Sequence, residues 1–104
     1  METFASKLKT LRLKQELLLR QVAAAVDVDT SMVSKFENGE RFPTREQIEK
    51  FASFFKVPED DFLIEAYSDK LTYDFNEEPL AVQILKKAIQ KLILNNNQKT
   101  DNTS

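Results

Sequence analysis

A chain of 104 residues with 41% hydrophobic side chains can build one small core and an appendage. It holds no cysteine and no histidine, which excludes disulfides and thiolate metal sites and leaves any catalysis to carboxylates, lysines or hydroxyls. A net charge of −2 is not the footprint of a nucleic-acid binder, so any basic surface has to be local.

With one glycine and three prolines, long stretches are free of helix breakers, and the expected fold class is all-α. The first helix is expected from Thr3 to Glu16, with Phe4, Leu8 and Leu11 inward. The second covers Leu19 to Val26, where Val22, Ala23 and Val26 form a small inner face that lets another helix cross close by. Asp27-Val28-Asp29 is too short for anything but a turn. Asp29 suits an N-cap, and Val28 before it is placed to pack on Val33 as a hydrophobic staple. The third helix is expected from Thr30 to Glu37. Val33 and Phe36 point inward from it, and Thr30, Ser31, Ser34 and Lys35 share the opposite face. Gly39 after Asn38 supplies a left-handed stop.

Beyond the turn-rich link 40–43, Thr44 and Gln47 form a capping box for a fourth helix with Ile48, Phe51, Ala52 and Phe55 inward. The fifth is expected to begin near Pro58, with Glu59, Asp60 and Asp61 at its positive end, and to reach Tyr73 or Phe75. Asn76 to Pro79 is the only plausible boundary. Pro79 is expected to open a sixth helix, and the polar end 96–104 is expected to be disordered. The organisation is therefore a domain over 1–75, a helix within 76–95 and a tail over 96–104.

Residues 4 to 63 resemble the phage repressor and Cro family of helix-turn-helix domains, also called the xenobiotic-response-element family. The resemblance rests on Leu11-Arg12, Val22-Ala23, the turn Asp27-Val28-Asp29, Val33, Phe36-Glu37, Asn38-Gly39, Pro43, Ala52 and Phe62-Leu63. It implies a five-helix repressor-like domain that binds double-stranded DNA with its third helix in the major groove. Thr30, Ser31, Ser34 and Lys35 then occupy the positions used for base contact. Asn38, Arg41 and Arg45, with Asp29 at the other end of the helix, are placed near phosphate. Arg12 and Glu37 are implied to form a structural ion pair that ties helix one to the end of helix three. The basic residues Lys7, Lys9, Arg12, Lys14, Arg20, Lys35, Arg41 and Arg45 all precede residue 46, so a basic surface is confined to this half. The chain departs from the family at Leu18 and Leu19, where many members carry a capping hydroxyl and a phosphate-binding glutamine.

Helix six has apolar residues over roughly 200° of its wheel, twice the stripe a surface helix needs. Leu80, Ile84, Leu85, Ile89, Leu92 and Ile93 are the expected dimerisation residues, and a homodimer is what a two-fold DNA site requires. The order of helices in this tail is also similar to small bacterial regulators found beside restriction-modification or methyltransferase genes. The reading is a cytoplasmic, sequence-specific transcriptional regulator, a homodimeric repressor of a palindromic operator. It is expected to be no enzyme, and to have no cofactor, metal, membrane association or small-molecule ligand. The alternative is an antitoxin or protein-interaction adapter whose C-terminal half binds a partner such as a toxin or antirepressor.

Overall fold

The computed structural model describes residues 2–102, with the side chains of 2–98. Its helices are α1 (Phe4–Lys14), α2 (Leu19–Val26), α3 (Thr30–Glu37), α4 (Arg45–Phe55), α5 (Glu59–Phe75) and α6 (Ala81–Asn102), and no strand occurs among the described residues. The chain divides into two compact units between Thr72 and Tyr73.

In the first unit, α1 and α4 start where a side chain satisfies a free N–H group of the first turn. Thr3 caps α1 from outside it. The Ser6 N–H donates to Thr3 Oγ1 at 3.1 Å and the Thr3 N–H donates to Ser6 Oγ at 3.0 Å, so the helix begins one residue later than the sequence pattern suggests. The Phe4 N–H, also in that first turn, donates to Asp69 Oδ2 at 2.6 Å and binds the start of α1 to α5. At α4 the expected box is present: the Gln47 N–H donates to Thr44 Oγ1 and the Thr44 N–H to Gln47 Oε1. Pro58 stands just before α5, its carbonyl accepting from the Asp61 N–H.

The helix ends share one device. After α1, α2, α3 and α4 the backbone turns left-handed at Glu16 (φ 57°), Asp27 (φ 59°), Gly39 (φ 74°) and Lys56 (φ 56°). In each case the N–H one residue further on closes onto the last turn, from Leu17 to the Arg12 carbonyl, Val28 to Ala23, Glu40 to Lys35 and Val57 to Ala52. Only one of the four left-handed residues is glycine. A side chain in that conformation costs roughly 1–2 kcal/mol, part of which glycine returns as extra entropy of the unfolded chain. Glu16→Gly and Lys56→Gly are each expected to raise stability by about 0.5–1 kcal/mol, read as a higher urea midpoint. No rise at either site would show that the turns carry no strain.

The core is shared by all five helices of this unit. Phe4 and Leu8 from α1, Val22, Ala23 and Val26 from α2, Val33 and Phe36 from α3, Ile48, Phe51, Ala52 and Phe55 from α4, and Phe62, Leu63 and Ala66 from α5 are buried together. Edge-to-face ring pairs run through it, Phe4 with Phe62 and Phe51, and Phe36 with Phe51.

In the second unit, α6 starts at Ala81, two residues beyond Pro79. The Glu78 carboxylate accepts from the Leu80 N–H at 2.8 Å, and the Leu80 carbonyl accepts from the Ile84 N–H. The helix continues through the asparagine-rich stretch to Asn102, past residue 95 where the sequence reading ends it, because neither glycine nor proline interrupts it. The remainder of the tail expected to be disordered, residues 103 and 104, lies outside the described residues.

Candidate nucleic-acid interface

Two short helices and the turn between them form the site. On α2, Val22, Ala23 and Val26 are buried, and on α3, Val33 and Phe36 are, so the small residues of α2 let α3 lie close across it. The turn is only Asp27-Val28-Asp29. Asp27 reverses the chain in the left-handed conformation, and Val28 is half-buried against the core cluster that includes Val33. Asp29 holds the extended backbone of an N-cap (φ −68°, ψ 151°) and its carbonyl accepts from the Met32 and Val33 N–H groups. Its carboxylate makes no capping hydrogen bond, which departs from the expected side-chain cap. Backbone and packing set the direction of α3.

The start of α2 lacks a hydroxyl, and Leu18 stands exposed at the N-cap. Gln21 compensates from inside the helix: its Oε1 accepts from the Leu18 N–H at 2.7 Å, half of a capping box. Sequence reasoning missed this residue, although a glutamine three positions after a cap is the signal that would have found it. Of the three consecutive leucines, Leu17 and Leu19 pack against the core and Leu18 is left to solvent.

The far end of α3 is clamped. Arg12 from α1 meets Glu37 in a two-point pair, its Nε donating to Oε2 at 2.7 Å and its Nη2 to Oε1 at 3.0 Å. A third donor, Nη1, reaches the Leu17 carbonyl at 3.0 Å in the loop between α1 and α2. The two side chains are 12% and 4% exposed. Glu37 is the one buried polar or charged residue among those described, and its partner satisfies it fully. The bond to Glu37 raises the Arg12 pKa above its ordinary value, against the opposing effect of burial. One guanidinium therefore fixes three segments, and it is removed from the basic surface to which charge counting assigns it.

What α3 offers to a ligand is its outer face. Thr30, Ser31 and Lys35 are exposed, and Ser34 is half-buried beside them. These side chains form no part of the core, so the helix is held by its inner residues and leaves hydroxyls and one ammonium free to meet hydrogen-bonding edges. Past the helix, Asn38 and Arg41 are exposed. Arg45 is also exposed and sits 3.3 Å from Glu49 one helical turn away, an ion pair weak enough in solvent to give way to a phosphate. Lys7 is placed elsewhere, with its Nζ 5.7 Å from the centroid of the Phe62 ring.

No group of His, Cys, Asp or Glu able to hold a metal ion occurs among the described residues, and none of their helices is long and apolar enough to cross a membrane.

Comparison with known proteins agrees with this geometry. Over 55 residues, 53% of this chain, the sequence is 34% identical to the cryptic phage CTXphi transcriptional repressor RstR of Vibrio cholerae, and it spans about half (50%) of that relative's length. Two solved structures share the fold at a TM-score of 0.54. The clp gene regulator ClgR from Corynebacterium glutamicum is 20% identical, with 86% of this chain and 85% of that one covered. The SinR protein in complex with the SinI protein is 17% identical, with 91% and 99% covered. The family model described as Helix-turn-helix matches residues 8–62. Since that match takes in more than half of the residues and falls on α1 to α4 and the start of α5, the chain belongs to the helix-turn-helix family.

Proposed function

We infer that this protein is a sequence-specific DNA-binding transcriptional regulator that acts as a homodimeric repressor. The carrying observation is the outer face of α3, whose Thr30, Ser31 and Lys35 are exposed on a helix held at one end by a three-residue turn and at the other by the Arg12–Glu37 pair. A short, rigidly held helix fits the major groove, where every base pair presents a distinct pattern of donors and acceptors. Lys35 donates to guanine O6 or N7, while Thr30, Ser31 and Ser34 meet base edges, the threonine methyl also suiting a thymine methyl. Asn38, Arg41 and Arg45 hold phosphates. Asp29 bears a carboxylate that repels phosphate, so its part is confined to starting the helix. Three hydroxyls and one lysine discriminate bases weakly, and specificity rests on DNA shape and on two copies reading one site. The relative's description as a transcriptional repressor supports the same reading.

Selection of bound duplexes from a random DNA library at moderate salt tests this. The expected result is a two-fold symmetric motif with half-sites about 34 Å, one helical turn, apart. A folded protein that enriches no motif would remove the reading. The roles within the site separate by substitution. Lys35→Ala is expected to relax preference at one base position, each such contact carrying about 1–3 kcal/mol. Arg41→Ala is expected to weaken all sequences alike and to lower the salt slope by about 1. Equal losses on specific and random DNA for both variants would cancel this assignment.

A protein-partner reading has one observation in its favour. Val82, Ile89, Leu92, Ile93 and Leu94 of α6 are exposed, and the SinR structure that shares the fold is itself a complex with a second protein. Copurification of a stoichiometric second protein with the chain from its native cell would favour that adapter role over self-association.

A further inference from the structure

The chain has four arginines, and the structure divides them into two kinds. Arg12 is enclosed with Glu37, and Arg45 stands 3.3 Å from Glu49. Arg20 and Arg41 are exposed and pair with no carboxylate among the described residues. The acidic residue nearest to Arg20 in sequence is Glu16, which lies in the left-handed turn after α1 and forms no ion pair with it. An exposed guanidinium without a partner keeps its donors for a ligand.

Where Arg20 stands follows from the fork of Arg12. Nη1 of Arg12 donates to the Leu17 carbonyl and Nη2 to Glu37, each at 3.0 Å, so the two accepting oxygens lie within about 8 Å of each other. The start of α2 is thereby held beside the last residue of α3. Arg20 comes three residues after Leu17, in the first turn of α2, and Asn38 directly follows Glu37, with Arg41 three further on. Val22, Ala23 and Val26 take the inner face of α2 and leave Arg20 on its flank. The neighbouring side chains offer nothing to an anion. Leu18 is exposed but apolar, Leu19 packs against the core, and the Gln21 oxygen is turned back onto the Leu18 N–H.

We propose that Arg20 is a further phosphate contact, which holds the DNA backbone from α2 beside the phosphates held by Asn38 and Arg41 at the end of α3. This rests on the DNA-binding reading above and adds a residue and a helix to it. The planar guanidinium fork matches two phosphate oxygens and is more weakly hydrated than an ammonium group, so it exchanges water for phosphate at small cost. A contact to the backbone adds affinity for every sequence and carries no base preference. The Arg12–Glu37 pair then has a second role, because it sets the spacing between the contacts made from α2 and those made from α3.

Arg20→Gln, Arg20→Lys and, as a control for net charge, Lys56→Gln test the contact, with binding to the selected duplex and to random duplex measured over a range of salt. Lys56 is exposed just past α4 and loses the same charge on a different element. Thermal melts followed by circular dichroism confirm that all three variants fold. Arg20→Gln is expected to bind both duplexes roughly tenfold more weakly per copy bound, with a salt slope lower by about 1 per copy. Arg20→Lys is expected to keep the wild-type slope, since an ammonium group still neutralises the phosphate, and Lys56→Gln to keep both slope and affinity. Ethylation of single phosphates in the selected duplex locates the contact: at one of them the wild-type protein is expected to lose affinity and Arg20→Gln to lose none. An Arg20→Gln protein with the wild-type slope, or one weakened on the selected duplex alone, would overturn the contact and leave the DNA-binding reading standing. An equal fall of slope in Lys56→Gln would overturn it too, by assigning the effect to net charge. A wild-type protein that binds neither duplex would overturn both.

Discussion

Glu37→Ala is expected to destabilise the helical domain by about 3–5 kcal/mol, because it leaves a buried guanidinium without its carboxylate. The wild-type pair is nearly enclosed, and Glu37 receives two of the three hydrogen bonds that Arg12 donates. A lysine in that place would shed its proton, but a guanidinium stays charged without its partner and has to be hydrated at the expense of the packing around it. Arg12→Ala is expected to cost a similar amount, since it strands the Glu37 carboxylate and frees the Leu17 carbonyl. The double replacement Arg12→Met with Glu37→Leu removes both charges together and is expected to be less damaging than either alanine variant. Urea denaturation of the four proteins checks the pattern. Single variants with wild-type midpoints would show that the pair adds nothing to stability.

Phe51→Ala should have an effect of the same order, about 3–5 kcal/mol, by a different route. Phe51 is completely buried in α4 and meets Phe4 of α1 at 6.2 Å and Phe36 of α3 at 5.8 Å between ring centroids. Truncation opens a cavity between three helices that are already anchored by caps and turns and cannot close over it. A domain of this size has roughly 4–11 kcal/mol of stability in all. The variant is therefore expected to be partly unfolded near physiological temperature, with calorimetry showing a large fall in the melting temperature. A drop of only a degree or two would mean that the core repacks freely around position 51.

The helices α2 and α3 were legible in the sequence to the residue, because a short run of small and apolar positions is broken there by an aspartate-flanked turn that admits one reading. The capping box at Thr44 was equally plain, being a local signal of two side chains three residues apart. The pairing of Arg12 with Glu37 was suggested only by family resemblance, since no periodicity links positions 25 apart in sequence. Other features left no trace that local rules could use. Glycine marks a left-handed stop, but Glu16, Asp27 and Lys56 make the same turn at a small energetic cost that sequence does not display. The hydrogen bond from Phe4 to Asp69 spans 65 positions and depends on how α1 and α5 meet in the folded domain. In the candidate site, the exposed positions of α3 followed directly from helical spacing, whereas the loss of Asp29 as a side-chain cap depends on a rotamer and does not.

The bond between Phe4 and Asp69 also has a bearing on how the protein is made. The start of α1 is secured by a carboxylate, and packed against rings, that the ribosome adds much later. At about 5–20 residues per second, the nascent chain waits roughly 3–14 s between its first residues and Asp69. During synthesis α2, α3 and α4 can assemble on neighbours that are already present, and Phe51 can receive Phe4, while the bond to Asp69 and the contact with Phe62 wait for residues still to be translated. The segment that emerges first thus keeps the first turn of its helix unsecured until α5 is made.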